Sequence, residues 1–168
     1  MQLAQINVAR LLHALDDPRI AEFVDNLDRV NALAEGSEGF VWRLKDETGD
    51  GATIAFEDDP RVIVNMSVWH SIEALETFAY QTMHRRFVQR RKEWFELFGA
   101  AYVALWWVED GHRPDATEGR LRLAHLDRYG PSPYAFTFKK RFGPDVEALP
   151  LGPVGDDIGS SERFRSCG

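Results

Sequence analysis

The sequence is poor in cysteine: Cys167 is the single one among 168 residues. One thiol cannot form a disulfide within the chain, and it cannot supply the thiolate cluster of a zinc or iron–sulfur site. Disulfide-bonded proteins are typical of oxidising compartments, so the lack of a Cys pair predicts a cytoplasmic protein.

Long apolar runs and an excess of positive charge are also missing. No run approaches the roughly 18 residues that a membrane-spanning helix needs, and residues 1–10 lack the pattern of a signal peptide. The chain carries 20 Lys and Arg against 27 Asp and Glu, a net charge of -7. General nucleic-acid binders are usually basic, so we expect neither a nucleic acid nor a membrane as a partner.

Several common site motifs are absent as well. There is no glycine-rich dinucleotide fingerprint and no phosphate-binding loop, and the one GxS-like run lies in the C-terminal tail at 155–161. No His-x-x-x-His pair occurs, and no acidic cluster joins a histidine at ligand spacing. We therefore expect no dedicated zinc or non-haem iron site.

The order of apolar patterns indicates the fold. Period-two alternation predicts strands at 2–9, 39–45, 62–70 and 101–109. Helical spacing predicts a helix from Pro18 to about Gly36, a second from Ser71 with a break near 81–82 and a continuation to about Phe98, and a third after Asp115. The order βαββαβ predicts a ferredoxin-like α+β fold with an antiparallel four-stranded sheet and an extra C-terminal helix. Residues 1–142 are predicted to form one domain, and residues 143–168 a disordered tail.

The first and third strands each have an apolar side and a polar, aromatic side. We expect the helices to cover the apolar side, which leaves the polar side for a ligand or a second copy. Two such sheets packed face to face would form a homodimer. The polar side is expected to carry Gln5, Asn7, Asn65, Ser67 and Trp69, joined by Trp42 or Arg43 and by Trp106 or Trp107.

The helix after the third strand holds the candidates for acid–base chemistry. His84 could act as a general base, since the ordinary pKa of imidazole lies near neutrality, or its neutral ring could bind iron. Tyr80 lies one helical turn earlier and could face the same cavity. Arg91 falls among apolar residues and needs an internal acid or a substrate carboxylate as its partner. The plainer interpretation is a solvated histidine and a solvated basic run.

Three stretches resemble a known family: NMSVWHSIEALETFAY, RRKEWF and LWWVEDGHRPDATEG with the LRLAHLDRYGPSPYAFTF that follows. They are similar to the bacterial proteins grouped as domain of unknown function 3291, over roughly residues 2–138. The resemblance implies the dimeric α+β barrel of the antibiotic-biosynthesis monooxygenase group. That group contains cofactor-free monooxygenases, haem-degrading enzymes, isomerase-like and cyclase-like members, and members without a catalytic role.

The resemblance also offers a haem alternative. The haem-degrading members use an asparagine of the first strand, and a tryptophan and a histidine of the helix after the third strand. Asn7 stands where that asparagine would, whereas Tyr80 or Phe78 stands in place of the tryptophan. His84 lies on the same helix as the haem ligand, but earlier.

The sequence as a whole predicts a homodimeric protein that binds a small aromatic or polyketide-like molecule. If it is an enzyme, we expect a cofactor-free monooxygenase or a proton-transfer enzyme, with His84 or Tyr80 as the catalytic base. Two alternatives remain: a haem protein with His84 as axial ligand, and a non-catalytic dimeric binding protein whose aromatic side is only an interface. The predicted substrate-binding residues are Asn7, Trp42, Asn65, Ser67, Trp69, Arg91 and Trp107.

Overall fold

The computed structural model describes residues 1–45, 59–83, 92–97 and 100–146. In chain order they form β1 (Gln2–Arg10), α1 (Ala21–Glu35), β2 (Phe40–Arg43), β3 (Val62–Trp69), α2 (Ile72–Met83), β4 (Val103–Val108) and α3 (Ala116–Tyr129), with a 3-10 turn at Pro18–Ile20 before α1. The predicted α+β, ferredoxin-like order with an appended helix is confirmed. Most of the predicted continuation of the second helix to Phe98 lies outside the described residues, as do residues 147–168 of the tail. The domain boundary at 142 stays a prediction.

The four strands form one antiparallel sheet in the order β2-β3-β1-β4. In the central strand β1, Leu3 pairs with Trp69 of β3 on one side and with Trp107 of β4 on the other. Paired residues of neighbouring strands project to the same side of a sheet. Trp69, Leu3 and Trp107 therefore form one row across the sheet.

The appended helix α3 covers one side of this sheet. Leu123 and Leu126 of α3 join Ile6, Met66 and other even-numbered strand residues in one buried cluster. The helix approaches closely at Gly119, where a Cβ would lie 2.5 Å from Cδ1 of Ile6. The apolar side of the sheet is therefore covered as expected, but by the appended helix α3.

Helices α1 and α2 cover the other side, which is the polar and aromatic one. Phe23 of α1 packs in a cluster with Ile63, and Ile72 and Leu75 of α2 pack in a cluster with Trp69. We expected these helices on the apolar side and the polar side open for a ligand or a second sheet, and both expectations were wrong. Strand periodicity distinguishes two sides but does not say which helices cover each of them.

The turn between α1 and β2 depends on a glycine. Gly39 has a φ of 80°, a conformation that favours glycine, and a Cβ there would lie 2.6 Å from Cβ of Ala74 in α2. The missing side chain therefore lets the start of β2 approach α2. None of the helices in the described ranges is long and apolar enough to span a membrane.

Gly39→Ala should destabilise the protein more than Gly111→Ala does. Gly111 has a similar φ of 85°, but no atom lies within 4 Å of its would-be Cβ. Both variants strain the backbone in the same way, so the difference between their free energies of unfolding isolates the contact with Ala74. This overpacking should cost about 1 to 3 kcal/mol. Urea unfolding of both variants measures this difference. Equal losses would show that α2 moves away without cost.

Candidate functional site

A strip of polar side chains crosses the middle of the side that α1 and α2 cover. We call Gln5, Asn7, Asn65 and Ser67 the polar strip. Its members are cross-strand pairs, since Gln5 lies opposite Ser67 and Asn7 lies opposite Asn65. The two apolar clusters of this side lie at its two ends.

Hydrogen bonds join three members of the polar strip to a tryptophan. Nε2 of Gln5 donates to Oδ1 of Asn65 at 2.8 Å and to Oγ of Ser67 at 3.0 Å. The same Ser67 oxygen accepts a hydrogen bond from Nε1 of Trp69 at 2.8 Å. Gln5, Ser67 and Trp69 are buried, so this network lies in a low-dielectric interior where its bonds hold the side chains firmly.

Asn65 is the exposed end of this network. It lies on an inner strand beneath the helical layer, yet its side chain is exposed, and the opposing Asn7 is half-buried. We call the solvent-accessible space beside Asn65 and Asn7, between the two buried apolar clusters, the cleft. Gln5 holds Oδ1 of Asn65, so the amide Nδ2 of Asn65 is left to donate to a group in the cleft. Within the described ranges, the Asn7 carboxamide has no hydrogen-bond partner and can serve likewise.

The tryptophan row forms one wall beside the polar strip. Trp69 is fully buried, stacks on Phe78 with ring centroids 5.1 Å apart and meets the edge of Phe40 at 5.3 Å. Trp107 is half-buried, and its Nε1 donates to the backbone oxygen of Phe142 at 2.7 Å. The Trp69 ring is thus in contact with two phenylalanine rings, and the Trp107 N–H is already hydrogen-bonded. Trp69 therefore has no surface left for a ligand, and of the two only Trp107 is partly accessible.

The structure does not bring Trp42 to this cleft. A register shift between Phe40 and Trp42 places Phe40 opposite Trp69 but Trp42 opposite Val68, on the α3 side. Arg43 then pairs with Ser67 and takes the position on the cleft side. The expectation that Trp42, Trp69 and Trp107 would enclose one ring is corrected, because the irregularity in β2 turns Trp42 away.

Five of the predicted substrate-binding residues share one side of the sheet: Asn7, Asn65, Ser67, Trp69 and Trp107. The register also separates the adjacent tryptophans of β4. Trp106 points toward α3, where its Nε1 donates to Glu118 at 2.8 Å. Trp107 is the one that lies on the cleft side.

The predicted catalytic residues lie on or beyond α2. Tyr80 is 60% exposed, so much of its phenol faces solvent. His84 and Arg91 lie outside the described residues, and their roles stay predictions. The haem alternative stays a prediction for the same reason, since it requires His84 as axial ligand.

Gln5 is the functional candidate that the sequence patterns did not single out. They place it on the polar side without a role, whereas the structure makes it the link between Asn65 and Ser67. The period-two pattern of β1 was the available signal. Only the pairing of Gln5 with Ser67, a residue far away in the sequence, reveals the link.

A second polar cluster lies around Glu118 on the α3 side. Its carboxylate accepts hydrogen bonds from Trp106 at 2.8 Å and Arg122 at 3.0 Å, and contacts a ring nitrogen of His112 at 2.7 Å. Burial by itself raises the pKa of Glu118, but the hydrogen bonds from His112 and Arg122 outweigh it and hold this pKa below its usual value. In the described ranges, no three His, Cys, Asp or Glu side chains lie close enough together to hold a metal ion.

Three solved structures resemble the chain distantly. PA3566 from Pseudomonas aeruginosa is 13% identical, with a TM-score of 0.41 over 62% of this chain and 88% of that chain. SnoaB, a cofactor-independent oxygenase from Streptomyces nogalater, is 18% identical, with a TM-score of 0.40 over 65% of this chain and 94% of that chain. A mutant of SnoaB is 15% identical, with a TM-score of 0.42 over 68% and 98% of the two chains. These likenesses are too distant to carry an argument about chemistry.

Family membership has a broader basis. No protein with a curated description matches the chain. A family model described as "Domain of unknown function (DUF3291)" matches residues 2–150, which is most of the sequence. The chain therefore belongs to the DUF3291 family.

Proposed function

We propose that this protein binds a small hydroxylated aromatic molecule in the cleft beside the polar strip and oxidises it with O₂ without a bound cofactor. One observation carries the proposal: the Asn65 carboxamide is exposed on the sheet side that α1 and α2 cover, and buried Gln5 orients it. Ligand sites typically combine apolar walls with a few fixed polar groups. Here the partly accessible Trp107 would supply apolar surface, and Asn7 and Asn65 the fixed groups.

The amide donors suit a substrate that becomes an anion. A hydrogen bond to the charged form of a phenol favours that form and lowers the pKa of the phenol. Donors fixed before the reaction stabilise negative charge as it develops, because they need not reorganise. Asn65 would therefore assist removal of the phenolic proton. Tyr80 or His84 is proposed as the base, and Arg91 as the partner of a substrate carboxylate.

For a simple substrate such as 1-naphthol, the atoms and electrons of the oxidation balance as follows. The deprotonated ring transfers an electron to O₂, and a C–O bond forms at the carbon opposite the hydroxyl. The resulting hydroperoxide loses water, which leaves a quinone. One O₂ is consumed and one water is released for each substrate molecule, and no reductant is required. A homodimer, which the family resemblance implies, belongs to the same proposal.

Asn65→Ala should slow O₂ uptake with 1-naphthol about 10²- to 10³-fold, as expected when one donor to a developing oxyanion is lost. An oxygen electrode and the absorbance of the quinone product measure the rate. Asn26→Ala makes the same change on α1, where the Asn26 amide donates to the backbone oxygen of Glu22. The control should keep the wild-type rate. Equal rates for Asn65→Ala and wild type would contradict the proposal.

A further inference from the structure

We propose a second binding site, for a small aromatic carboxylate, in the groove beside β2. The aromatic ring would lie against Trp42, and the carboxylate would pair with Arg113. This site is separate from the cleft at the polar strip and does not depend on the proposed oxidation.

The groove follows the outer edge of the sheet. β2 is the edge strand, and the groove has a volume of about 490 Å³, within the range of small-molecule sites, roughly 300 to 1,000 Å³. It extends from Glu35 at the end of α1 to Arg113 in the turn before α3. Its dimensions therefore suit a compact ligand.

Trp42 provides a flat surface in the groove. The indole is half-buried against the apolar cluster that contains Val68, which fixes its position. Within the described ranges, Trp42 has neither a ring contact nor a hydrogen bond to its N–H. A fixed indole with an open side favours stacking with an aromatic ligand.

The charges of the groove indicate an anionic ligand. Nε of Arg43 and Nζ of Lys45 lie 2.7 Å and 2.9 Å from the same Oε1 atom of Glu35. Among the described residues that line the groove, three side chains are cationic, counting Arg113, and one is a carboxylate. An excess of cationic over anionic side chains in the lining favours an anionic ligand.

Arg113 is the cation best placed to bind the anion. It is exposed, and in the described part of the chain it has no ion pair or hydrogen bond. The planar guanidinium group offers two parallel N–H donors that match the two oxygens of a carboxylate. Ring stacking on Trp42 and a paired carboxylate together define the ligand class.

Titration calorimetry of the full chain with 2-naphthoate tests this site, with 2-naphthamide and inorganic phosphate as comparison probes. Naphthoate should bind most tightly, because it alone has both the ring and the charge. Arg113→Gln should weaken naphthoate binding about tenfold and leave naphthamide binding unchanged, as expected for a lost charge-assisted pair. Trp42→Leu should weaken the binding of both aromatic probes.

Two control variants distinguish binding in the groove from binding elsewhere on the protein. Arg128→Gln removes an exposed cation of α3, and Lys139→Gln removes an exposed cation of the segment after α3; neither side chain is part of the groove. Both should bind naphthoate like wild type. The proposal is overturned if Arg113→Gln has no effect, if Arg128→Gln or Lys139→Gln weakens binding equally, or if phosphate binds as tightly as naphthoate. Arg113 is exposed, so its substitution tests binding without removing core packing.

Discussion

Trp69→Ala should lower the free energy of unfolding by about 3 to 5 kcal/mol, the usual cost of truncating a fully buried tryptophan. The indole has no exposed surface, stacks on Phe78 and meets Phe40 edge-on. Its removal leaves a cavity between the sheet and α2 and takes a donor away from Ser67. Urea unfolding, followed by far-UV circular dichroism, measures the loss.

Two further variants show which part of Trp69 matters. Trp69→Phe keeps a buried ring but removes the N–H, so it should cost about 1 to 2 kcal/mol, near the value of one buried hydrogen bond with a small packing change. Trp42→Ala makes the same truncation at a half-buried position and should cost less than Trp69→Ala. A loss below about 1 kcal/mol for Trp69→Ala would contradict the buried packing, given the usual cost of such cavities.

Glu118→Ala should cost about 2 to 4 kcal/mol at pH 7, since it leaves a buried indole N–H and an arginine without their shared acceptor. Both groups bond to Oε1 of Glu118, at 2.8 Å from Trp106 and at 3.0 Å from Arg122. Thermal or urea unfolding measures the loss. The partly exposed His112 contact adds less, because solvent screens it.

The same carboxylate predicts a pH dependence. Folding lowers the pKa of Glu118, so its contribution is present above the unfolded pKa and is lost as the pH falls through the folded pKa. The stability difference between wild type and Glu118→Gln should therefore be full at pH 7 and shrink below about pH 4. Glu73→Gln, an exposed change on α2, should show no such trend. A difference that stays constant down to about pH 3 would rule out this linkage.

Local patterns were enough to predict the elements of the fold. The alternation in β1 and β3, the Asp115 cap of α3 and its glycine stop at Gly130 all appear in the structure. The same patterns did not predict the layers, because amphipathic strands and helices can be stacked in more than one way. The apolar face of α3 covers one side of the sheet, which reversed the predicted roles of the two sides.

The candidate site was predicted in part. Five of its residues follow from periodicity, since residues two apart on a strand share a side. Trp42 was misplaced because one irregularity in β2 moves every later residue to the opposite side. The link through Gln5 depends on pairing between distant strands, which a single sequence does not specify.

The position of α3 has a consequence for how the protein works at low concentration. In some folds a second chain must cover one side of the sheet. Dilution of such a protein would expose that side and loosen the residues on the opposite side. Here Leu123 and Leu126 of α3 cover one side of the sheet within the same chain, and on the cleft side Gln5 holds Asn65. Each polypeptide thus builds the sheet beneath its own cleft, and dilution of the protein leaves that support intact.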